Sequence, residues 1–143
     1  MKINRHILDN GLRLVHSQDE STQMVALNVL YNVGARDEHP EHTGFAHLFE
    51  HLMFGGSVNI PDYDMPLQLA GGENNDITNY YLTVPRQNVE TGFWLESDRM
   101  LSLDFSERSL EVQRGVVMEE FKQRCLNQPY GDVGHLLRPL AYR

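Results

Sequence analysis

The order of apolar and polar positions divides the chain into short strands and helices. Apolar residues flank Asp9-Asn10-Gly11. Asn-Gly is a strong short-range turn signal, so the opening reads as a hairpin with Leu12 to His16 as its returning strand. From Met24 the alternation is clean: Val25, Leu27, Val29, Tyr31 and Val33 share one face of a strand. Gly34 to Glu41 is a polar loop. The period then becomes helical, with Phe45, Leu48, Phe49 and Leu52 between Gly44 and Phe54, Thr43 as candidate N-cap and Gly55-Gly56 as the stop. Ser57 to Pro61 is loop, Tyr63 to Ala70 predicts a short helix ending at Gly71-Gly72, and Ile77 to Val84 predicts a strand closed by Pro85. Asn88 to Leu103 predicts a helix with Val89, Phe93 and Met100 on one side and Trp94 packed in the core. Ser106 caps a last helix from Glu107 to Leu126 whose apolar stripe is Leu110, Val117, Phe121 and Cys125. Strands early, helices interleaved and late: the pattern is α+β, a mostly antiparallel sheet covered by helices.

Length and charge narrow the class. A chain of 143 residues is one ordinary domain, so residues 1–143 are read as a single unit. No apolar run reaches the roughly 18 residues of a transmembrane segment, which excludes a membrane role. The formal net charge is −8 and the basic residues are scattered, which excludes nucleic acid because phosphate binding needs a basic stripe. The basic start, Met1-Lys2-Ile3-Asn4-Arg5-His6, has no apolar segment behind it, so the expected compartment is cytoplasmic. Cys125, the single cysteine, can form no internal disulfide and is expected to pack as a small hydrophobe.

The chemistry lies in Gly44-Phe45-Ala46-His47-Leu48-Phe49-Glu50-His51. His47 and His51 are i and i+4, so on a helix their imidazoles project from one face, one turn apart, within reach of a single Zn²⁺. Glu50 lies on the same side and can accept a proton from the water that such a metal activates. With seven His and eleven Glu in the chain, chance gives about 0.03 matches to His-x-x-Glu-His. The competing reading, helix-edge histidines bridged to Glu50, leaves three polar groups in an otherwise apolar helix in need of partners. His6, His16, His39, His42 and His135 show no paired spacing and read as surface residues.

Several segments in order resemble the pitrilysin, insulin-degrading enzyme and mitochondrial processing peptidase family of inverzincins. They are Gly44 to Ser57, Gly71-Gly72-Glu73-Asn74-Asn75, Thr78 to Pro85 and Arg114 to Glu120. The resemblance implies a zinc-dependent endopeptidase acting on extended peptides, and places this chain as one half-lobe, N-terminal, of a clamshell enzyme. The partners implied are a peptide substrate and a C-terminal lobe or partner subunit.

The resemblance also implies a third zinc ligand in Arg114-Gly115-Val116-Val117-Met118-Glu119-Glu120. Matching the motif puts it at Glu120, with Glu119 as the alternative. Adjacent helix residues point about 100° apart, so only one of the two can face the metal. Val117 and Phe121 mark the expected buried side, next to Glu120. The segment with Asn74 and Asn75 is where the family grips the substrate backbone. Those two residues either bind substrate or only make a turn, and the two readings stand even.

There are two departures from the pattern. Gln113 stands where family members usually carry an acid seven residues before the ligand, and Asn75 runs directly into Asp76-Ile77-Thr78 where several more residues are usual. The second is a true deletion or, the reading favoured by the matching flanks, a loop missing from the recorded sequence. The rival function is a non-catalytic scaffold or partner subunit of a peptidase complex. Such paralogues lose the His or Glu positions, whereas this chain keeps them.

Overall fold

The computed structural model describes residues 2–60, 69–73 and 76–141. The opening hairpin forms as the turn chemistry dictates. Strand β1 (Ile3–Ile7) pairs antiparallel with β2 (Arg13–Ser17), Ile7 opposite Arg13. Gly11 takes φ +87°, a value glycine adopts without steric cost, and the Leu8 N–H donates to the Leu12 carbonyl at 2.9 Å to close the loop.

A second sheet carries the rest of the fold. Strand β3 (Met24–Tyr31), β4 (Leu69–Glu73) and β5 (Thr78–Pro85) lie antiparallel in the order β3-β5-β4. The central position of β5 explains its burial. Tyr80, Leu82 and Val84 point to one face and are at most 1% exposed, while Tyr81 on the other face is 45% exposed. Burying Leu82 and Val84 contributes about 1.5–3 kcal/mol each. Leu69 and Ala70, expected at the end of a short helix, are instead in β4, because Leu69 pairs with Leu82 and Ala70 with Tyr81. The rest of that expected helix, residues 63–68, lies outside the described residues. Glu73 pairs with Thr78, so residues 74–77 alone join the two strands.

The described helices are α1 (Phe45–Leu52), α2 (Val89–Leu101), α3 (Glu107–Phe121) and α4 (Val133–Ala141). Helix α2 packs on the sheet through a face other than its most apolar one. Gly92, Leu95, Glu96 and Arg99 are buried, whereas Phe93, Trp94 and Met100 are exposed, which corrects the expected core role of Trp94. The cause is the close approach at Gly92. A Cβ there would sit 2.6 Å from Leu27 Cδ1 and 3.2 Å from Leu82 Cδ1, so the helix meets the sheet along its glycine.

Among the described residues Arg99 is the largest fully buried side chain. Its guanidinium donates to both Glu96 oxygens at 2.5 and 2.6 Å and lies 4.4 Å from the centroid of the Tyr80 ring, which stabilises the charge. Ser106 caps α3 as expected, accepting from the Ser109 N–H at 3.2 Å. Helix α3 also turns differently from its apolar stripe: Leu110 and Phe121 are exposed, while Ser109, Gln113, Val117 and Glu120 are shielded. Beyond Phe121 one π-helical turn, Lys122–Leu126, precedes the loop to α4.

Candidate metal centre

Helix α1 begins without a capping side chain of its own. The residue ahead of it is Gly44 at φ +89°, not a Thr43 cap, and two orphan N–H groups of the first turn are satisfied from elsewhere. Glu38, at the end of a 3-10 turn (Ala35–Asp37), reaches across. Its Oε2 accepts from the Gly44 N–H at 2.8 Å and its Oε1 from the Ala46 N–H at 2.6 Å. A carboxylate at the positive end of the helix dipole is favourable in its own right. The loop before the helix is thereby tied to it at the turn that carries His47.

From that start the helix presents Leu52 to the core and His47 and His51 toward α3, with Glu50 buried beside them. Helix α3 lies alongside and contributes Glu120. The three atoms His47 Nε2, His51 Nε2 and Glu120 Oε2 form a tight triangle. The two nitrogens are 3.2 Å apart, His51 Nε2 is 3.1 Å from the carboxylate oxygen, and His47 Nε2 is 3.4 Å from it. All three side chains are shielded, at 30%, 20% and 22% exposure. Glu50 stands behind them, 8% exposed overall, with Oε2 at 3.8 Å from His51 Nε2. A looser triad of His47, Glu50 and His51 also has its ligand atoms within 4.8 Å of one another. The set with Glu120 is the more compact, and it leaves Glu50 beside the triangle.

Glu119 points away from this centre. It is 57% exposed and pairs with Lys122 at 3.3 Å. Gln113 sits two turns before Glu120 on the same shielded stripe. Asn74 and Asn75 lie outside the described residues, and the remaining histidines are exposed. Two contributors carried weak sequence signals. Glu38 follows no periodicity at all. Arg124 stands four residues after Glu120, a spacing that could have marked it, and its guanidinium lies 2.5 Å from Glu120 Oε1.

Behind α1 the wall is aromatic. Tyr80 meets Tyr31 edge-on at 5.7 Å and Phe54 at 5.6 Å. Its hydroxyl is buried without a hydrogen-bond partner among the described residues. Burial, and then the neighbouring Glu50 charge, push its pKa well above the ordinary phenol value. Tyr31 is raised too, chiefly by burial. On this side of the helix Tyr31, Val33, Phe45, Phe49 and Tyr80 line a largely apolar cavity of about 520 Å³.

The donor set can be tested against zinc without placing an ion. Ligands about 2.0–2.1 Å from a tetrahedral Zn²⁺ are about 3.3–3.4 Å from one another, by the geometry of the tetrahedron. The observed 3.1, 3.2 and 3.4 Å match that spacing closely. Two imidazole nitrogens and a carboxylate oxygen facing one another are the ligand types that a catalytic zinc takes from protein. The residues fit the metal.

An α+β half-lobe that brings His-x-x-Glu-His beside a glutamate of a later helix defines a class of metallopeptidase folds, and comparison with known proteins gives the family. The profile described as Insulinase (Peptidase family M16) matches residues 13–130, and the chain belongs to that family. It is 34% identical over 132 residues to a zinc protease PqqE of Helicobacter pylori, covering 87% of this chain and 30% of that protein. It is 27% identical to a probable mitochondrial-processing peptidase β subunit of Arabidopsis thaliana, over 81% of this chain and 23% of that one. Among solved structures, a protease from Helicobacter pylori superposes with a TM-score of 0.83 at 30% identity, over 91% of this chain and 33% of that chain. The chain thus spans about a quarter to a third of the length of these relatives. The first half of the periplasmic protease PqqL from Escherichia coli superposes with a TM-score of 0.82 at 23% identity, a likeness of fold. That relative is periplasmic, so the comparisons do not support the cytoplasmic expectation. Among the described residues no helix is long and apolar enough to cross a membrane.

Proposed function

We propose that this chain is the zinc-binding, N-terminal half-lobe of an endopeptidase that hydrolyses bonds within extended or unfolded peptides. The observation that carries the reading is the triangle of His47 Nε2, His51 Nε2 and Glu120 Oε2, whose sides suit a tetrahedral ion. On this reading those three residues hold the metal and Glu50 is the general base. When bound, zinc supplies a water of lowered pKa and an electrophile for the scissile carbonyl.

The chain's own residues do the rest. Glu50, buried beside the histidines but outside the ligand triangle, accepts the proton of the attacking water and returns it to the leaving amine. Strand β4 is an edge of its sheet and lies next to α1, so an extended peptide can add to it as a further strand. Asn74 and Asn75, which follow β4 in sequence, are proposed to hydrogen-bond that peptide. The relatives are about three times as long, and the remaining substrate contacts are assigned to a C-terminal lobe or partner subunit.

Two experiments test the reading. Metal analysis of the purified chain should give one zinc, lost in His47→Ala and in His51→Ala; zinc retained in either variant would overturn the ligand assignment. In an active preparation containing the chain and its second lobe, Glu50→Gln should abolish peptide cleavage while keeping the metal. Loss of zinc in that variant would make Glu50 a ligand instead. A wild-type preparation that binds zinc and cleaves no peptide would favour a scaffold subunit.

A further inference from the structure

Resting on the zinc reading above, we infer that Arg124 is a positioning residue that reserves one oxygen of Glu120 and so limits that carboxylate to a single metal bond. The two oxygens of Glu120 have different neighbours. Oε2 faces His47 and His51 at 3.4 and 3.1 Å, whereas Oε1 lies 2.5 Å from the Arg124 guanidinium. A hydrolytic zinc needs three protein ligands and an open position. A carboxylate free to turn could give the ion both oxygens and fill that position. The ion pair with the Arg124 guanidinium on Oε1 opposes that turn, because swinging Oε1 toward the metal would pull it away from its own cation.

The backbone around Arg124 supports the assignment. The residue lies in the π-helical turn Lys122–Leu126, where the Asn127 N–H donates to the Lys122 carbonyl at 2.8 Å. Such single turns inside or after α-helices are uncommon and recur at functional sites. The returning loop braces it. A Cβ on Gly131 would sit 2.5 Å from the Arg124 carbonyl oxygen and 3.0 Å from that of Cys125, so the loop lies directly on this backbone. The Arg124 side chain itself is 72% exposed, so its removal threatens the fold little.

The test replaces zinc by Co²⁺, whose visible absorption is strong when four-coordinate and weaker when five-coordinate. Wild type, Arg124→Gln and Arg124→Lys are each loaded and compared, together with zinc affinity measured by competition with a chelator. The expected outcome is a four-coordinate spectrum for wild type and a weaker, five-coordinate spectrum for Arg124→Gln. Zinc binding in that variant should weaken about tenfold, the low end for residues that orient a ligand. Lysine keeps the charge without the fork and should restore part of both signals. Spectra and affinities for Arg124→Gln indistinguishable from wild type would overturn the role of Arg124 and leave the zinc site standing. Failure of the wild-type chain to take up one Co²⁺, or uptake that survives His47→Ala, would instead overturn the zinc reading beneath it.

Discussion

Replacing Arg99 by methionine should destabilise the chain far more than removing a surface charge would. Arg99 is 1% exposed and Glu96 is 5% exposed, and the guanidinium donates to both carboxylate oxygens at 2.5 and 2.6 Å. Methionine fills much of the same volume and still packs on Tyr80 and Phe54, so the cavity contribution is small. What is lost is the cation that offsets a buried carboxylate. Breaking a buried pair from one side costs about 3–5 kcal/mol, against a total stability of about 5–15 kcal/mol for a typical domain. The expected shift is a fall of roughly 10 °C in Tm, read by circular dichroism, with a matching loss in urea titration. The double variant Glu96→Leu/Arg99→Met removes both charges and should recover most of the loss, to within about 2 kcal/mol of wild type. A loss below about 1 kcal/mol for Arg99→Met alone would refute the reasoning, as would additive losses in the double variant, since contacting charges must couple.

Two more predictions concern the surroundings of α1. Glu38→Ala removes both carboxylate bonds to the first turn of α1 and should cost about 1–2 kcal/mol in urea titration, with weaker zinc binding; an unchanged titration would show that the turn is capped otherwise. Tyr80, with its folded pKa raised above 10.0, gives an alkaline signature. The unfolded chain loses this phenolic proton first, so the stability is fully present below pH 10 and declines as pH rises beyond it. Each such group contributes a slope of at most about 1.4 kcal/mol per pH unit. Denaturant titrations between neutral and strongly alkaline pH should show this decline, and Tyr80→Phe should flatten it. An unaltered slope in that variant would assign the decline elsewhere.

The sequence by itself determined the elements whose causes are local. Asn10-Gly11 made the hairpin, strict alternation made β3 and the face division of Tyr80 and Tyr81, and Ser106 began α3. The His47–Glu50–His51 spacing was legible for the same reason: i, i+3 and i+4 on one helix need no knowledge of the rest of the molecule. Only the tertiary structure decided which helix faces turn inward. Gly92 lets α2 meet Leu27 and Leu82 closely, so Arg99 is buried and Trp94 is left outside, against the ranking of their hydrophobicity. It also moved Leu69 and Ala70 from an expected helix into β4, because pairing with β5 satisfies their backbone. The same holds for the far side of the site. Helical periodicity set Glu120 beside the expected buried side of its helix but could not say what it meets there, and nothing in the spacing marked Glu38 as the cap of α1. The meeting of Glu120 with His47 and His51 exists only once α1 packs against α3, and the Glu38 cap only once the irregular loop before α1 folds back on the first turn of that helix.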